Sequence, residues 1–182
     1  MSQGADDGGV LHTALHFLAD SLTEGLSTGT IADRVDVGSV TDESGGLAFA
    51  PPATRIALLN IEMDHRAIAP PVRPTSPEQD RRPPLPIIAT ILIAARMSDY
   101  AASLRRISQI VAFLDARPSF HSEQWPRLPV MLSPLTLQFQ SMDLERLSLV
   151  WRMLRVPPLP SALYQVRLPD IRAEARIDRS EQ

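Results

Sequence analysis

The sequence predicts an α+β fold, in which about three helices pack against a mixed central sheet of about four to six strands. The run from residue 85 to 168 reads strand, helix, strand, helix, strand, with a proline near almost every joint. Residues 85–95 are apolar on both faces, which is typical of a central strand covered on both sides. The length of 182 residues fits one domain.

The N-terminal third predicts one helix and two strands. Residues 1–9 are small, polar and acidic, and we expect a flexible start. Asp6 or Asp7 would cap the first helix, because leucines then recur at helical spacing. They are Leu11, Leu15, Leu18, Leu22 and Leu26. A short strand over 31–37 and a stronger strand over 55–62 follow.

Residues 66–86 differ in kind because they are rich in proline. Prolines stand at positions 70, 71, 74, 77, 83, 84 and 86. Proline removes a backbone donor and favours extended conformations, so we predict a long loop. A loop of this length inside a compact domain is usually functional or disordered. Arg81 and Arg82 within it favour a contact with a neighbouring protein. A ligand for a proline-recognising module is the alternative.

The second helix is predicted to begin at Ser98, as N-cap, with Asp99 in its first turn. Arg117 and Pro118 end it. Apolar residues spaced by three and four predict the stripe that it buries. That stripe is Tyr100, Leu104, Ile107, Val111 and Leu114.

Strict alternation over 135–140 predicts a half-buried strand, and Tyr164, Val166 and Leu168 predict another. We expect both to lie nearer an edge than the strand at 85–95. Between them, a third helix is predicted to bury Leu144, Leu147, Trp151 and Leu154.

The alternation continues beyond this strand. Ile171, Ala173, Ala175 and Ile177 alternate with Arg172, Glu174 and Arg176. Residues 171–182 therefore form either a final strand or an extended arm. An arm of this kind can pair with the sheet edge of a neighbour.

Composition excludes several classes of protein. The net charge of −3 argues against a nucleic-acid groove, which needs a concentrated basic surface. All 18 basic residues are Arg, and there is no Cys for a disulfide or a thiolate metal site. No basic region followed by an apolar stretch marks a secretory signal, and residues 85–95 are too short to span a bilayer as a helix. We expect a cytoplasmic protein that does not insert in membranes.

Few residues are arranged for chemistry. His12 and His16 have the spacing of a helical metal pair, but no third ligand follows. Glu62, Asp64 and His65 form the best acid–base candidate, without a nucleophile motif beside them.

His121 beside Glu123 is a weaker case of the same kind. No glycine-rich loop with Lys and no Gly-x-Ser-x-Gly elbow is present. We therefore expect no enzyme, no cofactor and no bound metal.

Short stretches spread over most of the chain carry a resemblance. They are 60–62 (Asn-Ile-Glu), 99–104, 110–114, 117–120, 135–139, 149–151 (Leu-Val-Trp) and 159–167. In this order and spacing, with the proline-rich loop and the apolar strand between the first two, they resemble the tail-terminator, or cap, proteins of extracellular contractile injection systems. Those systems are phage-tail-like particles of the antifeeding-prophage and virulence-cassette type. The resemblance covers roughly residues 10–172.

The resemblance implies a tail-terminator-like fold over residues 10–170 and a structural cap. Such a cap is expected to form a hexameric ring that closes the end of the tube and sheath, inside a particle assembled in the cytoplasm. We expect tube and sheath proteins as partners and an assembly interface that includes five residues. These are Arg81, Arg82, Trp125, Arg172 and Arg176.

Two other functions stay open. A small enzyme would use Glu62, Asp64 and His65. An adaptor would bind a partner through residues 70–86.

Overall fold

The computed structural model describes residues 9–27, 29, 34–67 and 84–171. A six-stranded mixed sheet has the order β1-β2-β3-β6-β5-β4. Its strands are β1 (Val35–Val37), β2 (Ala53–Met63), β3 (Ile87–Arg96), β4 (Ser119–Phe120), β5 (Leu135–Phe139) and β6 (Ser161–Leu168). The helices are α1 (Gly9–Gly25), α2 (Tyr100–Asp115) and α3 (Leu144–Leu154). The predicted α+β class, with one sheet and three helices, is confirmed.

Strand pairing explains which strand is central. β1 runs parallel to β2, and all other pairs are antiparallel. β3 is almost wholly buried between β2 and β6, as its apolar sequence predicted. The expectation that the strand around Tyr164 lies near an edge was wrong. β6 pairs with β3 over eight residues and buries Leu163 and Tyr164 on opposite faces, whereas β5 is one strand from the edge.

The first face of the sheet carries the larger core. Helices α1 and α2 cover Ile56, Ile91 and Ile93 on this face. In α1 the predicted leucines Leu15, Leu18 and Leu22 are buried, and Leu11 and Leu26 pack at the border of the core. Asp6 and Asp7, predicted as caps, lie outside the described residues.

Helix α2 is rotated relative to its prediction. Its N-cap is Asp99, whose side chain accepts a hydrogen bond from the backbone N–H of Ala102, and not Ser98. The buried residues are Ser103, Arg106, Ile110, Phe113 and Leu114. The predicted stripe was wrong at its start, because Tyr100 is 70% exposed and Leu104 45%. A shift of one residue corresponds to a turn of about 100° around the helix axis.

Helix α3 covers part of the second face. Trp151 is buried against Ala57, Leu92 and Leu163, which confirms its prediction as a core residue. Leu147 and Leu154 pack at the border of this smaller core. The prediction that Leu144 is buried was wrong, since it lies in the first turn and is 84% exposed.

Candidate assembly surfaces

Asp64, one of the two carboxylates proposed for acid–base chemistry, forms a partly buried ion pair that links the end of β2 to β6. Asp64 is buried just after β2, and its Oδ2 accepts a hydrogen bond from Arg167 Nη1 at 2.6 Å. Its Oδ1 accepts a second one from the backbone N–H of Arg66 at 3.2 Å. Glu62 and His65 are both exposed, and Glu62 Oε1 accepts from Asn60 Nδ2 at 2.8 Å. Asp64 and Glu62 are thus held by separate partners within the fold.

Asp64 belongs to a corner where three segments are tied together. Its backbone N–H donates to the carbonyl of Pro86 at 2.9 Å, which holds the two ends of the proline-rich loop side by side. The N–H of Leu85 donates to Asp170 Oδ1 at 3.0 Å, and the N–H of Ile171 donates to the carbonyl of Leu85 at 3.1 Å. The end of β2, the start of β3 and the end of β6 therefore meet at one point. We call this point the clamped corner.

The clamped corner bears on the predicted interface arginines. Arg81 and Arg82 precede Leu85 along the chain, whereas Arg172 and Arg176 follow Ile171. All four lie outside the described residues. The stretch that carries Arg81 and Arg82 precedes Leu85, and the stretch that carries Arg172 and Arg176 follows Ile171. Leu85 and Ile171 both lie at the clamped corner, although the sequence alone does not show that they are neighbours.

Trp125, the fifth predicted interface residue, packs on its own core. Its ring centroid lies 5.1 Å from that of Phe120 and 6.2 Å from that of Phe17, with both pairs edge to face. The side chain is half-buried and lines a surface cavity of about 470 Å³ beside α1. The exposed part of the ring is the part available for a partner.

The same cavity contains the histidine pair of α1. The ring centroids of His12 and His16 are 4.1 Å apart, and Asp20 and Glu24 follow at the same spacing. Glu24 forms an ion pair with Arg127. Among the described residues, no three or more side chains of the metal-ligating kinds are grouped closely enough to hold a metal ion.

His121 and Tyr164 make contacts within the fold. His121 Nε2 forms a hydrogen bond with Ser119 Oγ at 3.1 Å, while Glu123 is exposed. Burial raises the pKa of the Tyr164 hydroxyl to about 12, and the negative charge of Asp115 adds to the shift.

In the turn that follows β1, a hydrogen bond from the Ser44 hydroxyl, together with one from the Gly46 N–H, lowers the pKa of Asp42. These bonds close the turn, and they assign no chemistry to it.

Exposed apolar side chains are the most prominent feature of the surface. On the first face, α2 exposes Tyr100 and Leu104. On the second, α3 exposes a set of three: Leu144, Leu149 and Met153. The second half of β2 exposes another three: Leu58, Ile61 and Met63. Large apolar side chains that are exposed in several groups are typical of proteins that form contacts with other proteins.

A groove of about 600 Å³ runs beside α3. It is lined by apolar Leu144, Leu147 and Leu159, with the cations Arg152 and Arg155 at its border. The sequence did not predict this groove, because its spacing assigned Leu144 to the core. It did not predict the exposed half of β2 either, because a local pattern does not show how far a neighbouring strand extends. No helix among the described residues has the length and apolar character needed to cross a membrane.

No curated protein matches the chain. A solved structure that is similar is the sheath/tube terminator of an extracellular contractile injection system, PVC, determined by cryo-EM in the extended state. The sequence identity is 16% and the TM-score 0.61, over 87% of this chain and 55% of the other. The chain thus spans about half the length of that protein, and the likeness shows a common fold.

The family comparison gives the stronger result. The model of the Pvc16 N-terminal domain matches residues 13–181, which is most of the sequence. The resemblance drawn from the short stretches between residues 60 and 167 is therefore confirmed. The chain belongs to the Pvc16 N-terminal domain family.

Proposed function

We propose that this chain is a structural terminator, which forms a ring that closes the end of the tube and sheath of a contractile injection particle. The observation that carries the proposal is the family match over residues 13–181, together with a fold shared with a sheath/tube terminator. The role needs no catalytic group. It needs a rigid domain with several surfaces left for partners.

The distribution of exposed apolar residues supports a ring. Tyr100 and Leu104 of α2 are on the first face of the sheet, whereas Leu144 and Leu149 of α3 are on the second. Different surfaces that meet head to tail between identical copies generate a closed ring when the rotation between copies closes. Two patches on opposite faces fit this arrangement better than a two-fold dimer, which uses the same patch twice.

The predicted interface residues enter the proposal with this geometry. Arg81, Arg82, Arg172 and Arg176 are close in sequence to Leu85 and Ile171, which meet at the clamped corner, and Trp125 borders the cavity beside α1. Arginine forms planar, bidentate contacts with carboxylates, which suits it to interfaces between proteins. We propose that these four arginines contact a neighbouring copy or the sheath, and that Trp125 is a smaller contact.

The test is particle length in cells that produce the tube and sheath proteins with and without this chain. Electron microscopy should show particles of uniform length with the chain, and tubes or sheaths of variable length without it. Native mass spectrometry of the purified chain, alone and with tube protein, should detect a closed ring of identical copies, with six copies expected from the family resemblance. Uniform particles without the chain would contradict the proposal.

A matched variant separates the terminator from the enzyme that the sequence left open. His65 is exposed, so His65→Ala should leave particle length unchanged in a terminator. An enzyme that uses His65 would lose its activity in this variant and keep its assembly state, whereas loss of length control, with the fold intact by circular dichroism, would place His65 in an assembly contact.

A further inference from the structure

The outer edge of β2 is open along its second half. β1 pairs only with Thr54, Arg55 and Ile56, and the last bond on this side joins the N–H of Gly38 to the carbonyl of Ile56 at 2.9 Å. Because β1 is parallel to β2, its start at Val35 pairs with Thr54, away from residues 57–63, and the described chain turns off after Gly38. Among the described residues, no strand pairs with the outer side of residues 57–63. We call residues 57–63 the open edge.

An open strand edge carries unpaired backbone donors and acceptors, which pair readily with another extended segment. From Asn60 to Met63, beyond a bulge in the β2–β3 register between Leu58 and Asn60, the side chains alternate in polarity. Leu58, Ile61 and Met63 lie opposite Ile91, Ala89 and Ile87 of β3, so they point to the first face. Each is between 39% and 45% exposed.

On the other face, Asn60 and Glu62 are exposed and joined by a hydrogen bond. A strand that adds to this edge needs apolar side chains on one face and polar, preferably basic, ones on the other. A cavity of about 280 Å³, lined by Leu58, Leu59 and Val40, begins where β1 stops. It offers room for side chains of the incoming strand.

The sequence after β6 has this pattern. Residues 172–177, which lie outside the described part, alternate Arg172, Glu174 and Arg176 with Ala173, Ala175 and Ile177. We propose that residues 172–177 of one copy add as a strand to the open edge of β2 in a neighbouring copy, with Arg172 or Arg176 beside Glu62. The inference rests on the proposed ring and names one of its contacts.

The geometry of the clamped corner favours a neighbouring copy over the same chain. Ile171 is bonded to Leu85 on the β6 side of β3, and two strands, β3 and β2, separate it from the open edge. Three strand spacings amount to about 14 Å, which takes about four residues to cross. Within one chain, residues 172–175 would then be needed to cross the sheet. The remaining residues, 176–182, contain a single apolar side chain, Ile177, which is too few for the apolar face of an added strand.

The proline-rich loop is a poor occupant of the same edge. It follows β2 directly, but its prolines at 70, 71, 74, 77 and 83 lack the N–H groups that a strand ladder needs. The segment after β6 contains no proline beyond residue 169. Only the latter can supply an uninterrupted row of backbone donors.

The absence of Cys from the chain makes a disulfide test specific. Full-length Glu62→Cys is mixed with full-length Arg172→Cys or Arg176→Cys under mild oxidation, and the mixed dimer is followed by non-reducing electrophoresis. Side chains directly opposite on neighbouring strands have Cβ atoms about 4.5–5.5 Å apart, close to the separation in a disulfide. The control pairs Arg176→Cys with Ser108→Cys, which is exposed on α2.

At least one test pair should form the mixed dimer about tenfold faster than the control pair, because strand pairing raises the effective concentration of the thiols. Adding Ile177→Asp should remove that difference. A rate equal to the control for both pairs would overturn the inference. A fast disulfide within one chain, in a dilute Glu62→Cys plus Arg176→Cys double variant, would overturn it as well.

These outcomes are separable from failure of the proposed function. Closed rings and uniform particles without the disulfide would sink the strand contact and leave the terminator role intact. A fast mixed disulfide with particles of uncontrolled length would support the strand contact and contradict the terminator role.

Discussion

Helices α1 and α2 pack on the same face of the sheet, yet only α1 buries the stripe that its sequence predicts. In α1, Leu15, Leu18 and Leu22 point into the core. In α2, Tyr100 and Leu104 point to solvent, although their spacing is as regular. The difference teaches that helical periodicity finds an amphipathic helix reliably, but does not choose between two apolar faces on one helix.

Polar contacts settle the rotation of α2. Ser103 Oγ donates to the carbonyl of Asp99 at 3.0 Å and accepts from the N–H of Met97 at 2.9 Å. Arg106 Nε donates to Thr54 Oγ1 at 3.2 Å, although Arg106 is only 3% exposed. These bonds turn the Tyr100 and Leu104 side away from the sheet. A surface that is apolar and yet faces solvent is then available for a partner.

The largest effect is expected in α1. Leu18 is fully buried, so Leu18→Ala removes packed methyl groups and leaves a cavity, at a cost of about 2–5 kcal/mol in the free energy of unfolding. Urea denaturation followed by circular dichroism measures it. A loss below about 1 kcal/mol would mean that α1 is not packed as described.

The next effect concerns the bond that fixes α2. Arg106→Leu leaves the hydroxyl of buried Thr54 without this donor, and we expect a loss of about 1–3 kcal/mol. Arg105→Leu is the matched control, because Arg105 is exposed and should change stability by less than about 0.5 kcal/mol. Equal losses in the two variants would contradict the role given to Arg106.

Much of the fold follows from local sequence, for stated reasons. The apolar run before Ala95 correctly predicts a central strand, because a strand covered on both faces, as β3 is, needs apolar residues on both. Trp151 was correctly placed in a core stripe, because α3 packs it on Leu92 and Leu163. The place of β6 beside β3 was not predictable in this way. Pairing is a contact between segments about 70 residues apart, and alternation within one segment does not name its partner.

The candidate surfaces were less accessible to sequence reasoning. Leu144 has the right spacing for the core but is exposed in the first turn of α3. The clamped corner depends on contacts such as Arg167 with Asp64, which lie far apart in the chain. The open edge depends on where β1 turns away. Such features arise from tertiary contacts, which no local pattern encodes.

A smaller effect lies where α2 ends above β6. Burial and Asp115 raise the pKa of Tyr164 to about 12 in the folded chain, above the ordinary value of about 10. Between these pH values the unfolded state has lost the proton and the native state has kept it. The contribution of Tyr164 to the free energy of unfolding is therefore fully present below pH 10 and is lost as the pH rises towards 12.

Tyr164→Phe should remove this part of the alkaline loss, on the order of 2 kcal/mol at pH 12. Thermal unfolding of both proteins from pH 8 to pH 12 measures the difference. Parallel curves would show that the tyrosine hydroxyl is not held in its neutral form.

The smallest effect on stability, and the sharpest test of the comparison, is at the exposed stripe of α2. Leu104→Ser removes an apolar side chain that is already 45% exposed, so the free energy of unfolding should change by less than about 0.5 kcal/mol. If the stripe is covered by a neighbouring copy in the proposed ring, the same variant should shift sedimentation towards smaller species. Leu18→Ala, in contrast, should lower the free energy of unfolding directly, because Leu18 is buried within the chain. A Leu104→Ser protein that unfolds as easily as Leu18→Ala would place Leu104 in the core, and the contrast between the two helices would fail.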